Sequence, residues 1–370
     1  MRISLFKLER YFAAYEFTAR HLLCCSDCES IAIEDLLEME PGAEEAFRRL
    51  RLGYTESPGS SSLRGEITRL YGTIGPDGVL VHSGAEEAIF LFMNAALEAG
   101  DHIVVHSPCY QSLGEIARSI GCEVTPWQAD ERKGWALDPE DLKRAIRANT
   151  KAIVLNTPHN PTGYLMSLHD FEEVNRIAQE RSVILFSDEV YRESEYDPAN
   201  RLPPACDINE TAVSLGVMSK TYGLPGLRIG WAATRNMKML SGMAALKDYT
   251  TICNSAPSEF LAEVALRHRE SLVQRNLRII GDNLVVLDDF FSRHRERFEW
   301  IRPKAGSIAF PSLLSGDVAS FCHELVTKSG VLLLPGSAFD DPGNHFRIGF
   351  GRKNMPQAVA ALEGYLTTGR

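Results

Sequence analysis

Ser219-Lys220 closes an apolar run from Ala212 to Met218 and leads into Thr221-Tyr222-Gly223-Leu224-Pro225-Gly226-Leu227-Arg228. A lysine at the end of a strand-like run, inside a glycine turn, is a poor choice unless its amine has a task. Desolvated, that amine is a good nucleophile toward an aldehyde and forms a Schiff base. Ser219 and Arg228 supply what a phosphate takes, a hydroxyl donor and a planar fork of N–H groups. Lysine, aldehyde and phosphate together point to pyridoxal phosphate (PLP). Taken alone, Ser219-Lys220 reads more simply as a surface lysine in a turn; the motifs that follow reverse that.

Asp188 ends the apolar run 182–187, and Tyr191 follows three residues later. An aspartate there can pair with a protonated pyridine nitrogen and make the ring a better electron sink; Tyr191 can donate to the ring's phenolic oxygen. By itself Asp188 is also an ordinary acidic cap at a strand–helix junction. In Asn156-Thr157-Pro158-His159-Asn160-Pro161-Thr162-Gly163, Pro161 keeps Asn160 out of a helix and stiffens the turn, so that Asn160 presents its amide. Ser83-Gly84-Ala85-Glu86-Glu87 joins a strand to a helix, where backbone N–H groups and the helix dipole favour an anion. The carboxylates of Glu86 and Glu87 must then turn away, leaving the backbone of Gly84, Ala85 and Glu86 to hold phosphate. Tyr110, after Ser107-Pro108-Cys109, can stack on a flat heterocycle or serve as core. Arg347 sits in the β-like run Phe346-Arg347-Ile348-Gly349-Phe350. A guanidinium there needs a partner, either a substrate carboxylate held by two bonds or an internal acid.

Composition sets the frame. With 370 residues, 44% hydrophobic and 24% charged, the chain is ordinary globular material for about two domains. A net charge of −10 argues against nucleic acid and anionic membrane surfaces as partners. Charges at Lys7, Glu9, Arg10, Glu16 and Arg20 interrupt every apolar stretch near the start, so no export signal is expected, and no run approaches the roughly 18 apolar residues that span a bilayer. A cytoplasmic location with eight thiols is the expectation. Cys24, Cys25 and Cys28 form a C-C-x-x-C cluster, but no second Cys/His pair follows at finger spacing, and no metal is expected.

Strand-like runs at 79–82, 103–106, 123–126, 152–156, 183–187, 212–217 and 229–233 alternate with amphipathic helical patterns. This predicts an α/β fold, a mostly parallel seven-stranded sheet with helices on both faces, with ligands at the strand C-terminal edge. Long helical patterns over 236–295 follow, then β-like runs at 299–302, 307–310, 331–334 and 346–350 with helices at about 316–328 and 355–366, a smaller α+β domain. The expected division is 1–45, an N-terminal segment packing with the small domain or the cleft; 46–245, the large domain; and 246–370, linking helices and the small C-terminal domain.

In their order, Gly-Ala-Glu, Pro-x-Tyr, Asn-Pro-Thr-Gly, Asp-x-x-Tyr, Ser-Lys with a later Arg, and Arg-Ile-Gly-Phe-Gly run along nearly the whole chain. The set resembles the class I/II aminotransferases of PLP fold type I. The resemblance implies Lys220 as the Schiff-base lysine and Asp188 as the pyridinium partner, with Tyr191 and Asn160 on the phenolic oxygen. It implies Tyr110 as the stacking ring, Ser219, Arg228, Gly84 and the Ala85–Glu86 backbone around the phosphate, and Arg347 on the substrate carboxylate. Tyr54, in Gly53-Tyr54-Thr55-Glu56-Ser57-Pro58-Gly59, matches the tyrosine that reaches the phosphate of a neighbouring subunit, which implies a homodimer with shared sites. Residues 219–228, Pro158-His159-Asn160-Pro161 and the surroundings of Thr125-Pro126-Trp127 are similar to the ring-closing capreomycidine synthase branch. Asp188-Glu189-Val190-Tyr191 instead has the ordinary aminotransferase form.

Two reactions follow from the resemblance. The first is transamination between an L-amino acid and a 2-oxo acid; the second is a lyase or cyclase reaction that expels a β- or γ-group. Residues 24–29, 54–62 and 248–254 are the candidate specificity segments, and Glu29 is a candidate for a basic side chain or a solvent-facing acid. No second arginine stands out for a dicarboxylate substrate.

Overall fold

The computed structural model describes residues 2–368. The seven expected strands form one sheet. From one edge the order is Val79–His82, Gly230–Thr234, Val213–Val217, Ile184–Asp188, Thr150–Asn156, His102–Ser107 and Glu123–Gln128. Only Gly230–Thr234 runs against its neighbours; the other pairings are parallel. Central parallel strands are covered on both faces and so read as unbroken apolar runs. Val213–Val217 and Gly230–Thr234 are buried at every residue, and Val79–His82 likewise. Two apolar clusters, one on each side, hold Phe92 stacked on Phe186 at 4.3 Å and Trp127 against the Leu168–Glu180 helix region.

The geometry gathers the chemistry. The loops after Val79–His82, His102–Ser107, Thr150–Asn156, Ile184–Asp188 and Val213–Val217 all leave the C-terminal edge. The antiparallel strand begins at that edge, so the turn carrying Arg228 arrives there too.

Beyond the sheet, Pro257 occupies the first turn of the helix Ala256–Arg267, where its missing N–H is harmless. The 25-residue helix Arg269–Arg293 then leads to short strands. The β-like runs of the sequence are realised as pieces: Phe298–Glu299, Ile308–Ala309, Val331–Leu332, Leu334–Pro335 and Phe346–Gly349, with the helices Val318–Ser329 and Met355–Thr368 beside them. An unforeseen strand, His21–Leu22, pairs in parallel with Val331–Leu332. Two residues are too few to show a period in sequence.

The helix Lys7–Tyr15 touches both sides of the cleft. Lys7 N donates to Gln111 Oε1 at 2.9 Å and Gln111 Nε2 to Leu5 O at 3.0 Å, while Tyr11 Oη donates to Leu333 O at 3.0 Å. Residues 23–29 continue across Phe346–Gly349, where Gly349 N donates to Leu23 O at 2.9 Å. That approach is close enough to require glycine: a Cβ on Gly349 would lie 1.9 Å from Cys25 O. Gly349→Ala should therefore destabilise the protein by about 1–3 kcal/mol or more in urea unfolding, as overpacked sites do. An unchanged midpoint would show that the N-terminal segment yields freely.

Candidate active site

A cleft of about 460 Å³ opens at the strand C-terminal edge. Ten of the residues singled out from sequence line it: Ala85, Glu86, Tyr110, Asn160, Asp188, Tyr191, Ser219, Lys220, Arg228 and Arg347.

Lys220 is half-buried on the turn after Val213–Val217. Bonds from Gly223 N to Lys220 O (3.0 Å) and from Leu224 N to Met218 O (2.9 Å) close that turn. Lys220 Nζ donates to Ser26 Oγ at 2.8 Å. Burial lowers its pKa, and Arg347 pushes the same way, against the opposing pull of Asp27 and Asp188.

At one end of the cleft the helix Ala85–Ala96 begins without a side-chain cap, so its first N–H groups face outward as an anion site. Gly84 before it has φ +83, and a Cβ there would lie 2.4 Å from Arg228 Nη2. Arg228 itself takes the left-handed φ of +52 that non-glycine residues seldom adopt, and its Nη1 lies 3.5 Å from Ser219 Oγ. Helix terminus, hydroxyl and guanidinium thus meet in one cradle that a methyl group at residue 84 would fill. The glutamates do turn away. Glu87 accepts from Ser83 N (2.6 Å) and from the hydroxyls of Thr250 and Thr251 (2.5 and 2.8 Å). Glu86 accepts from Ser112 Oγ at 3.0 Å, and burial pushes its carboxyl up to about 7.

Asp188 is buried at the end of its strand. Burial raises its pKa to about 7, while a long bond from Val190 N (3.3 Å) and the charge of Lys220 work against the rise. Asn156 lies opposite it in the sheet register. The Asn156 amide donates to Asp188 O (2.9 Å) and accepts from Asn160 N (2.7 Å), so one side chain fixes both positions. The sequence reading picked out only the second asparagine of that motif. Among the described residues the buried Tyr191 hydroxyl makes no hydrogen bond of ordinary geometry, with Ser26 beside it. Tyr110 lies at the wall, its ring 5.1 Å from that of Phe6.

Arg347 is 1% exposed. Its Nε and Nη2 donate to Cys24 O at 3.1 and 2.9 Å, and its Nη1 donates to Asn160 Oδ1 at 3.1 Å. Of five guanidinium N–H groups, one on each terminal nitrogen is left. Two parallel donors are what a carboxylate takes.

Several lining groups escaped the sequence reading: Leu8, Glu9, Phe12 and Glu16 from the N-terminal helix and its end, with Arg352; Ser26 and Asp27 also line the cleft, inside the expected specificity segment 24–29. Arg352 Nη2 donates to Asp27 Oδ2 at 2.9 Å. Glu16 is raised by burial; Arg352 counters this, and Glu9 and Asp27 reinforce it. The available signal was the spacing of Glu9, Phe12 and Glu16, which puts them on one helical face. Glu29 turns elsewhere and accepts from Lys353 N at 2.9 Å. Tyr54 is 94% exposed and outside the cleft of its own chain. Its segment lies beside residues 248–254, with Thr55 Oγ1 donating to Asn254 O at 2.9 Å. All eight cysteines are free thiols, and Cys24, Cys25 and Cys28 are buried.

Known proteins share this fold. The family model "Aminotransferase class I and II" matches residues 29–362. Capreomycidine synthase from Streptomyces vinaceus is 28% identical over 367 residues, 98% of this chain and 93% of that one. A PLP-dependent aminotransferase from Streptococcus suis superposes with a TM-score of 0.93 at 30% identity, covering 99% and 98% of the two chains. The PLP-dependent cyclase OrfR gives 0.91 at 30% identity, covering 100% and 99%. With the seven-stranded sheet and the cleft at its edge, these matches make the chain a member of the class I and II aminotransferase family, whose fold is type I and whose cofactor is pyridoxal phosphate.

Proposed function

We propose that this protein is a PLP-dependent aminotransferase that acts on an L-amino acid and a 2-oxo acid. The observation that carries the reading is the convergence of Lys220, Asp188 and Arg347 on one cleft that ends in an anion cradle. The cradle that a Cβ at residue 84 would fill, and the orphaned Tyr191 hydroxyl, fit the cofactor's phosphate and phenolic oxygen.

When bound, the cofactor supplies an electron sink for the charge left at Cα as its proton departs. The chain's own residues do the rest. Ser219, Arg228 and the N–H groups at the start of Ala85–Ala96 hold the phosphate. Lys220 Nζ would hold the cofactor's aldehyde and, as a free amine, would take the Cα proton. Its lowered pKa favours the neutral amine that can accept that proton. Asp188, expensive to ionise without a cation, gains one in a protonated ring nitrogen. Asn160 has given its Oδ1 to Arg347, so its NH₂ is the group left for the ring oxygen. The two remaining N–H groups of Arg347 hold the α-carboxylate.

A second reading, a lyase or cyclase like the capreomycidine synthase and OrfR relatives, is favoured by one observation. Glu9, Glu16 and Asp27 place carboxylates along the cleft, a setting for a cationic side chain. Both reactions share the proton removal at Cα and part at the next bond.

We also read the active unit as a homodimer. Tyr54, Leu52, Tyr249 and Ile252 are exposed apolar side chains on neighbouring segments, and a second copy would carry Tyr54 to the phosphate cradle opposite. Free thiols suit a reducing, cytoplasmic setting. Among the described residues no helix is long and apolar enough to cross a membrane.

Three measurements test the reading. Borohydride reduction of PLP-loaded protein should leave a pyridoxyl group on Lys220 in the peptide map. Single-turnover incubation with a panel of amino acids should then release a keto acid and leave the pyridoxamine form. Label on another lysine refutes the assignment of Lys220, and sustained turnover without any keto acid selects the cyclase or lyase reading.

The second concerns Asp188. In cofactor-free protein its pKa of about 7 lies above the unfolded ~3.9, so the native state holds the proton more tightly. That stabilisation is complete below about pH 4 and is lost as pH rises through about 7. Asp188→Asn removes the penalty, so its Tm should gain on the wild type between pH 5 and 8, and PLP loading should erase the gain. A constant difference across that range would show that Asp188 ionises without cost.

Third, mixing two inactive proteins, Lys220→Ala and Tyr54→Phe/Arg228→Ala, should restore activity once subunit exchange is demonstrated. Exchange without rescue would mean that each site is built from one chain.

A further inference from the structure

His345 precedes Arg347 by two residues along an extended chain, so both side chains leave the same side of the backbone. Its ring is buried between two carboxylates. Nδ1 lies 2.7 Å from Asp341 Oδ2, and Nε2 lies 2.9 Å from Glu131 Oε1. A neutral imidazole has one N–H and can serve only one of them, leaving a lone pair facing the other. The imidazolium donates to both. Asp341 follows the short helix Gly336–Phe339 of the small domain, whereas Glu131 opens the turn Glu131–Lys133 after the edge strand Glu123–Gln128 of the large sheet.

Two aromatic rings also pack on the His345 ring. Phe310 stacks on it at 4.9 Å and 18°, and Trp135 meets it edge-on at 5.0 Å. Burial opposes the charge on His345, but the hydrogen bonds and charges of Asp341 and Glu131 outweigh it and raise its pKa. The same aromatic layer continues toward Arg347. Phe310 meets Phe339 edge-on at 5.8 Å, and the Phe339 ring lies 5.4 Å from the Arg347 guanidinium carbon.

We propose that His345 is a positioning residue, a cationic clasp that ties Glu131 of the large domain to the small domain and, through Phe310 and Phe339, holds Arg347 in place for a carboxylate. This rests on the reading of Arg347 as the carboxylate site. With a raised native pKa, the clasp is complete below the ordinary histidine value of ~6.5 and opens as pH rises through the native one.

The test uses PLP-loaded wild type and the variants His345→Gln, Glu131→Gln and Arg347→Lys. Propionate serves as a monocarboxylate probe, and its binding is read from the cofactor's absorbance. In ¹⁵N-histidine spectra, assigned with His345→Gln, both ring nitrogens of His345 should be protonated at pH 6, and Glu131→Gln should lower the titration midpoint. Propionate should bind His345→Gln about fivefold more weakly than wild type at pH 6, the two converging at high pH. A neutral His345 ring at pH 6, or equal affinities of the two proteins at every pH, would overturn the clasp. Unchanged propionate affinity in Arg347→Lys would overturn the positioning role by removing its target; the nitrogen spectra, which do not involve Arg347, tell that failure from failure of the clasp itself.

Discussion

Burying the guanidinium of Arg347 is the constraint around which the structure is arranged. An arginine that is 1% exposed must have its donors met, because an unpaired buried charge is costly. No acid meets them here. The Cys24 carbonyl takes two bonds and the Asn160 amide takes one. Three distant parts of the chain are therefore drawn to one point: the N-terminal segment, the loop after Thr150–Asn156 and the small-domain strand Phe346–Gly349. Neutral partners leave the positive charge of Arg347 uncancelled.

The same economy of charge runs through the cleft. Lys220 is held by a serine rather than an acid, so burial can lower its pKa. Asp188 has no cation bonded to it, so burial can raise its own. Each group is left with an unmet electrostatic demand of the kind a ligand fulfils. Asp27, whose charge is already paired with Arg352, lines the same cleft and pulls the Lys220 pKa upward against burial.

The sheet was legible because its signal is local. Six of the seven strands stand where apolar runs are bounded by polar turns, and burial on both faces explains those runs; in the edge strand Glu123–Gln128 only Trp127 is buried. The small-domain strands were legible only as runs, since two-residue pairings such as His21–Leu22 with Val331–Leu332 depend on partners far away in the chain. Nine of the ten expected site residues in the cleft lie at or beside strand ends along one edge of the large sheet, where its topology gathers them; Arg347 comes from the separate strand Phe346–Gly349. Asn156 and Glu16 passed unnoticed for the opposite reason: their roles come from neighbours that are distant in sequence, and their types are unremarkable by themselves.

Residue types and order by themselves determined the fold class and the cofactor, and they singled out a lysine, an aspartate and an arginine that share one cleft. A nucleophilic amine, a buried acid and a planar cation are intrinsic to side chains, and strand ends are marked locally. Tertiary structure alone decided which donors of Arg347 remain open, that Gly84 and Arg228 share one cradle, that Glu29 faces the backbone of Lys353 and that Glu9 and Glu16 face the cleft. Those outcomes depend on distances between segments far apart in the chain, and a sequence carries no distances.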